Sequence, residues 1–79
     1  MITSEQIRAA RAYLRISVVE ASKLSGVGVA TIKRLEAQDG VPSVHARTLE
    51  LLESAFNELG IEFIGSPNNG AGVRFKPHD

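Results

Sequence analysis

The chain has 79 residues, 43% of them hydrophobic, and a formal net charge of zero, which leaves room for one small domain. It contains no cysteine, which excludes disulfides, thiolate metal sites and thiol nucleophiles and fits a reducing compartment. Met1-Ile2-Thr3-Ser4-Glu5 lacks the regions of a signal peptide, and no apolar run reaches the roughly 18–20 residues of a membrane span. The expected location is therefore cytoplasmic, with no membrane partner.

Thr3 and Gln6 have the spacing of a capping box, and Ile7, Ala10 and Leu14 follow at helical intervals. This predicts a first helix over about Ser4–Tyr13. Ser17 is the next N-cap candidate, opening a short helix through Val18–Leu24. Ser25-Gly26-Val27 breaks the chain, with Gly26 suited to the left-handed conformation that ends a helix. A third helix is expected over about Val29–Glu36, with Ile32 and Leu35 facing inward. Asp39-Gly40-Val41-Pro42 reads as a turn, after which Ser43 caps a long helix over about Val44–Leu59, ended by Gly60.

Beyond Gly60 the period changes. Ile61-Glu62-Phe63-Ile64 and Val73-Arg74-Phe75-Lys76 alternate as strands do, separated by the turn-rich stretch 65–72. A hairpin is expected, with Ile61, Phe63, Val73 and Phe75 on one face and Glu62 paired with Arg74 or Lys76. Such a hairpin is only marginally stable alone, so it has to pack on the helices or on a second subunit.

The zero net charge hides an asymmetry. Residues 1–47 carry seven Lys or Arg against four acids, whereas residues 48–79 carry two against five. One basic face and one non-binding end would produce that distribution. Within Ser17–Glu36 lie a capped short helix, a Gly-containing turn, and a second short helix with Lys33 and Arg34 on its outer side. That order is the geometry of a helix-turn-helix, whose second helix enters a DNA major groove while the first crosses the backbone.

The segment Ser17-Val18-Val19-Glu20-Ala21-Ser22-Lys23-Leu24-Ser25-Gly26-Val27-Gly28-Val29-Ala30-Thr31-Ile32-Lys33-Arg34-Leu35-Glu36 resembles the helix-turn-helix of XRE-type regulators. That group contains phage Cro and the lambda-type repressors. The Ser-Gly-Val turn, the Thr-Ile pair and the closing Leu-Glu carry the likeness, which extends more loosely over residues 4–60. The ending is similar to short bacterial members that finish in a strand pair. Val18 stands where the family commonly has a Gln that touches a phosphate, Ala21 replaces a Leu, Ser22 an Ala, and Gly28 a Ser or Thr cap.

The resemblance implies a mainly α chain: a four- to five-helix lambda-repressor-like DNA-binding domain over residues 1–60, with a C-terminal β-hairpin over 61–79 as dimerisation element. It implies a transcriptional regulator that binds a palindromic operator on double-stranded DNA as a homodimer. Ser17, with the amides of Val18 and Val19, would hold a phosphate at a helix N-terminus. Gly28, Val29, Ala30 and Arg34 would face the groove, with Thr31 and Lys33 nearer the backbone. Arg34 could donate two hydrogen bonds to a guanine, and Val29 and Ala30 could touch thymine methyls. Arg8, Arg11, Arg15 and Arg47 are candidate phosphate contacts on flanking elements. Ile61, Phe63, Val73 and Phe75 are the candidate dimer contacts.

Blander readings compete at several positions. Lys33 and Arg34 could be a solvated helix face, Val29 a packing residue, and Arg47 a partner of Glu50 or Glu53. Val18 and Val19 fit either local burial or a protein-binding patch. An enzyme is not expected. His45 has no carboxylate at ligand spacing, His78 lies next to the end of the chain, and no Gly-rich phosphate loop follows a strand. No catalytic residue, metal or cofactor is implied. The alternative function is an antitoxin or protein-interaction module on the same scaffold, with a toxin or another regulatory protein as partner.

Overall fold

The computed structural model describes residues 1–76. It contains α1 (Ser4–Leu14), α2 (Val18–Ser25), α3 (Val29–Glu36), α4 (Ala46–Glu58), β1 (Ile61–Ser66) and β2 (Asn69–Phe75). His78, next to the end of the chain, lies outside the described residues.

Three helix boundaries are set by local chemistry. At α1 the Thr3 hydroxyl accepts the Gln6 N–H at 3.1 Å, and the Thr3 N–H donates to Gln6 Oε1 at 2.8 Å. At α2 the same reciprocal pair forms between Ser17 and Glu20, both bonds at 3.0 Å. Gly26, at φ +80°, ends α2 in the left-handed conformation. The start of α4 differs from expectation. Ser43 does not cap it: its N–H donates to Gln38 Oε1 at 2.8 Å, and Val44 N–H bonds Pro42 O in a bend. The helix begins only at His45, whose carbonyl accepts the first helical N–H bonds, and whose side chain makes no capping bond.

The hairpin is longer than the alternation predicted. Residues 65–72, read as a loop, instead extend both strands around a two-residue turn at Pro67-Asn68. The register pairs Ile61 with Phe75, Glu62 with Arg74, Phe63 with Val73 and Ile64 with Gly72, and then shifts at Gly65. Gly65 sits at φ +76°, where any side chain would run into the Gly70 backbone. Of Glu62's two expected partners, Arg74 is the one it meets, at 2.6 Å.

These elements correct the expected fold class. The mainly α, four- to five-helix lambda-repressor-like domain is replaced by a small α+β domain of four helices and a two-stranded antiparallel sheet. About 53% of it is helix and 17% strand. The reason is glycine: Gly65, Gly70 and Gly72 looked like turn residues, yet they accommodate a bulge and a close strand pairing.

One core joins helices and sheet. Ile7, Ile32, Leu35 and Leu52 are fully buried, Phe56 and Ile61 nearly so, and Phe63 and Val73 pack against them half-buried. Phe63 meets Phe56 edge-on, with ring centroids 6.0 Å apart. Gln6 adds the polar link, its Nε2 donating to Ile64 O at 3.0 Å and to Gly72 O at 2.8 Å. A single side chain thus caps α1 and holds both strands. Among the described residues no helix is long and apolar enough to cross a membrane.

Candidate nucleic-acid interface

The turn between α2 and α3 is locked from within. Ser25 Oγ–H donates to Ala21 O at 2.7 Å and accepts the Val27 N–H at 3.1 Å, while Val27 is buried beneath. On α3, Ile32 and Leu35 are fully buried and Glu36 nearly so. With 100° per residue, that inward face leaves Ala30 and Arg34 pointing directly away from the core, one turn apart. Ala30, Lys33 and Arg34 are exposed, and Val29 and Thr31 are half-buried at the flanks. Gly28 is exposed with space around it, and its φ of −63° is ordinary, so nothing in the fold demands glycine there.

The arginines divide into two groups. Arg8 and Arg11, read as phosphate contacts, are committed inside the chain. Arg8 Nη1 donates to the Glu36 carbonyl and, at 3.0 Å, to Gln38 O, satisfying the C-terminal carbonyls of α3. Arg11 forms a two-pronged pair with Glu36, at 2.9 and 2.8 Å, and also bonds Ile16 O at 3.1 Å. Glu36 raises the Arg11 guanidinium above its already high ordinary range. Arg15, Lys33, Arg34 and Arg47, by contrast, are exposed and carry no ion pair among the described residues. With Lys23, also exposed, they are the cations of residues 1–47 that carry no ion pair among the described residues.

At the start of α2, the Val18 and Val19 N–H groups precede the first intrahelical bond, from Ala21 N–H to Ser17 O. The Glu20 carboxylate already lies at this helix end. Hydrogen bonds from the Ser17 backbone and then its hydroxyl lower the Glu20 pKa. A phosphate bound here would share the site with that negative charge. Val18 is half-buried against the core, whereas Val19 stands 51% exposed.

Sequence reasoning missed one feature. An open groove of about 520 Å³ runs between α3 and the beginning of α4, lined by Thr31, Arg34, Ser43, Val44, His45 and Thr48. Three hydroxyls, an imidazole and a guanidinium meet there, and no carboxylate lines it. Ser43 was overlooked because it resembled a cap, and His45 because it has no metal-ligand spacing. Among the described residues no group of three or more His, Asp or Glu gathers as a metal site would require.

Of the candidate dimer residues, Ile61 is buried in the core of its own chain, Phe63 and Val73 are half-buried, and Phe75 is 39% exposed. A scan against protein-family models and a search of curated proteins return no match.

A pH dependence follows from the caps. Glu20 and Glu5 both have lowered pKa values, Glu5 through its own backbone N–H and then that of Gly40. A carboxyl whose folded pKa lies below its unfolded value, about 4.3 for Glu, stabilises the fold above that value. The contribution is lost as pH falls through the folded pKa. Thermal melts from pH 6 to pH 3 should therefore show declining stability below about pH 4.3. In a Glu20→Gln variant the decline should be shallower, and an identical profile would rule out the cap as a source.

Proposed function

We propose that this chain is a sequence-specific, double-stranded DNA-binding transcriptional regulator of the XRE-type helix-turn-helix kind, without enzymatic activity, acting as a homodimer on a palindromic operator in the cytoplasm. One observation carries the reading. The outward face of α3 holds Ala30, Lys33 and Arg34, all exposed and with no side-chain partner among the described residues, directly after a tightly locked turn. A helix that spends its inward face on the core and leaves an arginine unpaired opposite can enter a major groove. Arg34 would bond a guanine edge, and Ala30 a thymine methyl. The Ser17 end of α2 and the Ser43, His45 and Thr48 side of the groove would lie against backbone phosphates, with Arg47 nearby.

Selection from random DNA duplexes tests this reading. The expected result is a palindrome whose half-sites are centred about 10 base pairs apart. Arg34→Ala should weaken binding to the selected site by about 1–3 kcal/mol and relax preference at one base position. Uniform weakening across sequences would make Arg34 a phosphate contact, and no enrichment at all would overturn the function. A protein-interaction role, such as that of an antitoxin, is favoured by Val19 and Leu24, 51% and 54% exposed on α2. Recovery of a protein partner with no enriched DNA would support that role.

A further inference from the structure

Two Asx-Gly pairs occur in the chain, Asp39-Gly40 and Asn69-Gly70. Such a pair is chemically reactive, because glycine has no Cβ to shield its backbone nitrogen from the preceding side-chain carbonyl. The fold treats the two pairs differently. Gly40 N–H donates to both carboxylate oxygens of Glu5, at 3.0 and 3.3 Å. A negative charge at that proton opposes its removal, which guards the first pair.

Asn69-Gly70 lies in another setting. Asn68, Asn69, Gly70 and Ala71 are all exposed at the tip of the hairpin. Asn69 and Gly70 together face the single residue Ser66, so a bulge interrupts the ladder at this peptide. Gly70 sits at φ +69°, and the place where its Cβ would stand has no atom within 4 Å. The chain's other asparagines are less favourably placed. Asn57 lies inside α4, and Asn68 is followed by Asn69, whose side chain shields the nitrogen.

We propose that Asn69 is a site of self-modification, converted to an aspartyl or isoaspartyl residue without an enzyme; the inference is independent of the DNA-binding reading. Once base removes the Gly70 amide proton, that nitrogen attacks Cγ of Asn69. The N–Cγ bond forms, the Cγ–Nδ2 bond breaks, and Nδ2 leaves as ammonia with a proton returned from solvent. The cyclic imide then takes up one water at either of its carbonyls. Opening at Cγ restores the main chain and leaves an aspartyl carboxylate. Opening at the main-chain carbonyl routes the backbone through Cγ and leaves an isoaspartyl residue. In sum, one amide and one water give a carboxylate and an ammonium ion, with no redox change.

The isoaspartyl product lengthens the main chain by one carbon between residues 69 and 70, where the fit is tight. A Cβ at Gly65 would stand 2.2 Å from Gly70 O, and two residues further on Gln6 Nε2 donates to Gly72 O at 2.8 Å. The longer chain therefore loosens the hairpin from α1.

Wild-type protein kept folded in mildly alkaline buffer should gain one mass unit, mapped by peptide mass spectrometry to Asn69. Conversion there should be at least about tenfold faster than at Asn57 or Asn68. Isoaspartate-directed methyl transfer should label the same peptide and leave the Asp39-Gly40 peptide unlabelled. Asn69→Gln, whose carbonyl lies one bond further from the nitrogen, should block both signals. The isolated isoaspartyl form should melt below wild type, whereas Asn69→Asp, with the charge but an ordinary backbone, should melt with it. Equal rates at the three asparagines, or conversion only after unfolding in urea, would overturn the site. An isoaspartyl form that melts like wild type would overturn the loosening of the hairpin.

Discussion

Arg11→Ala should lower unfolding free energy by about 2–4 kcal/mol in urea denaturation, somewhat less than a wholly buried pair because the arginine keeps some solvent contact. Arg11 is 28% and Glu36 9% exposed in their side chains, and the geometry is two-pronged. Removing the guanidinium leaves the Glu36 carboxylate desolvated and unpaired, and Ile16 O loses its donor as well. The damage is then larger than the net worth of the bond. Replacing both Arg11 and Glu36 with apolar residues of similar volume should recover most of the loss, since no uncompensated charge remains. Because the pair fastens α1 to the last turn of α3, Arg11→Ala should also weaken the proposed DNA binding through misplacement of that helix. A stability loss under about 0.5 kcal/mol would mark the pair as an ordinary surface contact.

Gln6→Glu should be of comparable size, about 2–4 kcal/mol at pH 7, although it changes one atom group. The Gln6 side chain is 5% exposed and its amide is fully used. Its oxygen accepts from Thr3 N–H, and its nitrogen donates to Ile64 O and Gly72 O. A carboxylate preserves the capping bond and loses both donors, placing negative charge against two carbonyl oxygens. The introduced carboxyl should therefore titrate above the unfolded value of about 4.3. Its folded form favours the proton, so the penalty is full above the folded pKa and shrinks as pH falls toward about 4.3. Gln6→Ala, which leaves the carbonyls unsatisfied without adding charge, should show no such recovery. Denaturation curves of both variants at pH 4 and pH 7 distinguish them, and equal pH responses would refute the account.

The sequence was most informative where partners lie within one helical turn. Thr3 with Gln6, Ser17 as a cap and Gly26 as a terminator are contacts over three or four residues, and all appear where their spacing placed them. It was least informative where partners are distant. Arg8 and Arg11 meet residues 25–30 positions away, and a basic side chain looks the same whether it awaits a phosphate or grips a helix end. Residues 65–72 misled because glycine marks both turns and strained strand pairings, and the extended sheet changed the fold class with it. Ser43 misled for a related reason. A serine before an apolar run suggests a cap, but Gln38 had already taken its backbone N–H. The two sides of the α3/α4 groove are nine to seventeen residues apart in sequence, from Arg34 and Ser43 to Thr31 and Thr48, so no local motif announces it.

The commitment of Arg8 and Arg11 to the end of α3 has an evolutionary corollary. Ala30, Lys33 and Arg34 hold nothing together through their side chains, so substitution there rewrites the outward surface without asking for repair elsewhere. Glu36, two residues beyond Arg34 on the same helix, can change only together with Arg11. Within eight residues α3 therefore carries positions free to diversify beside positions bound to a distant companion. Descendants of this chain can acquire a new outward surface on α3 while inheriting an unaltered scaffold.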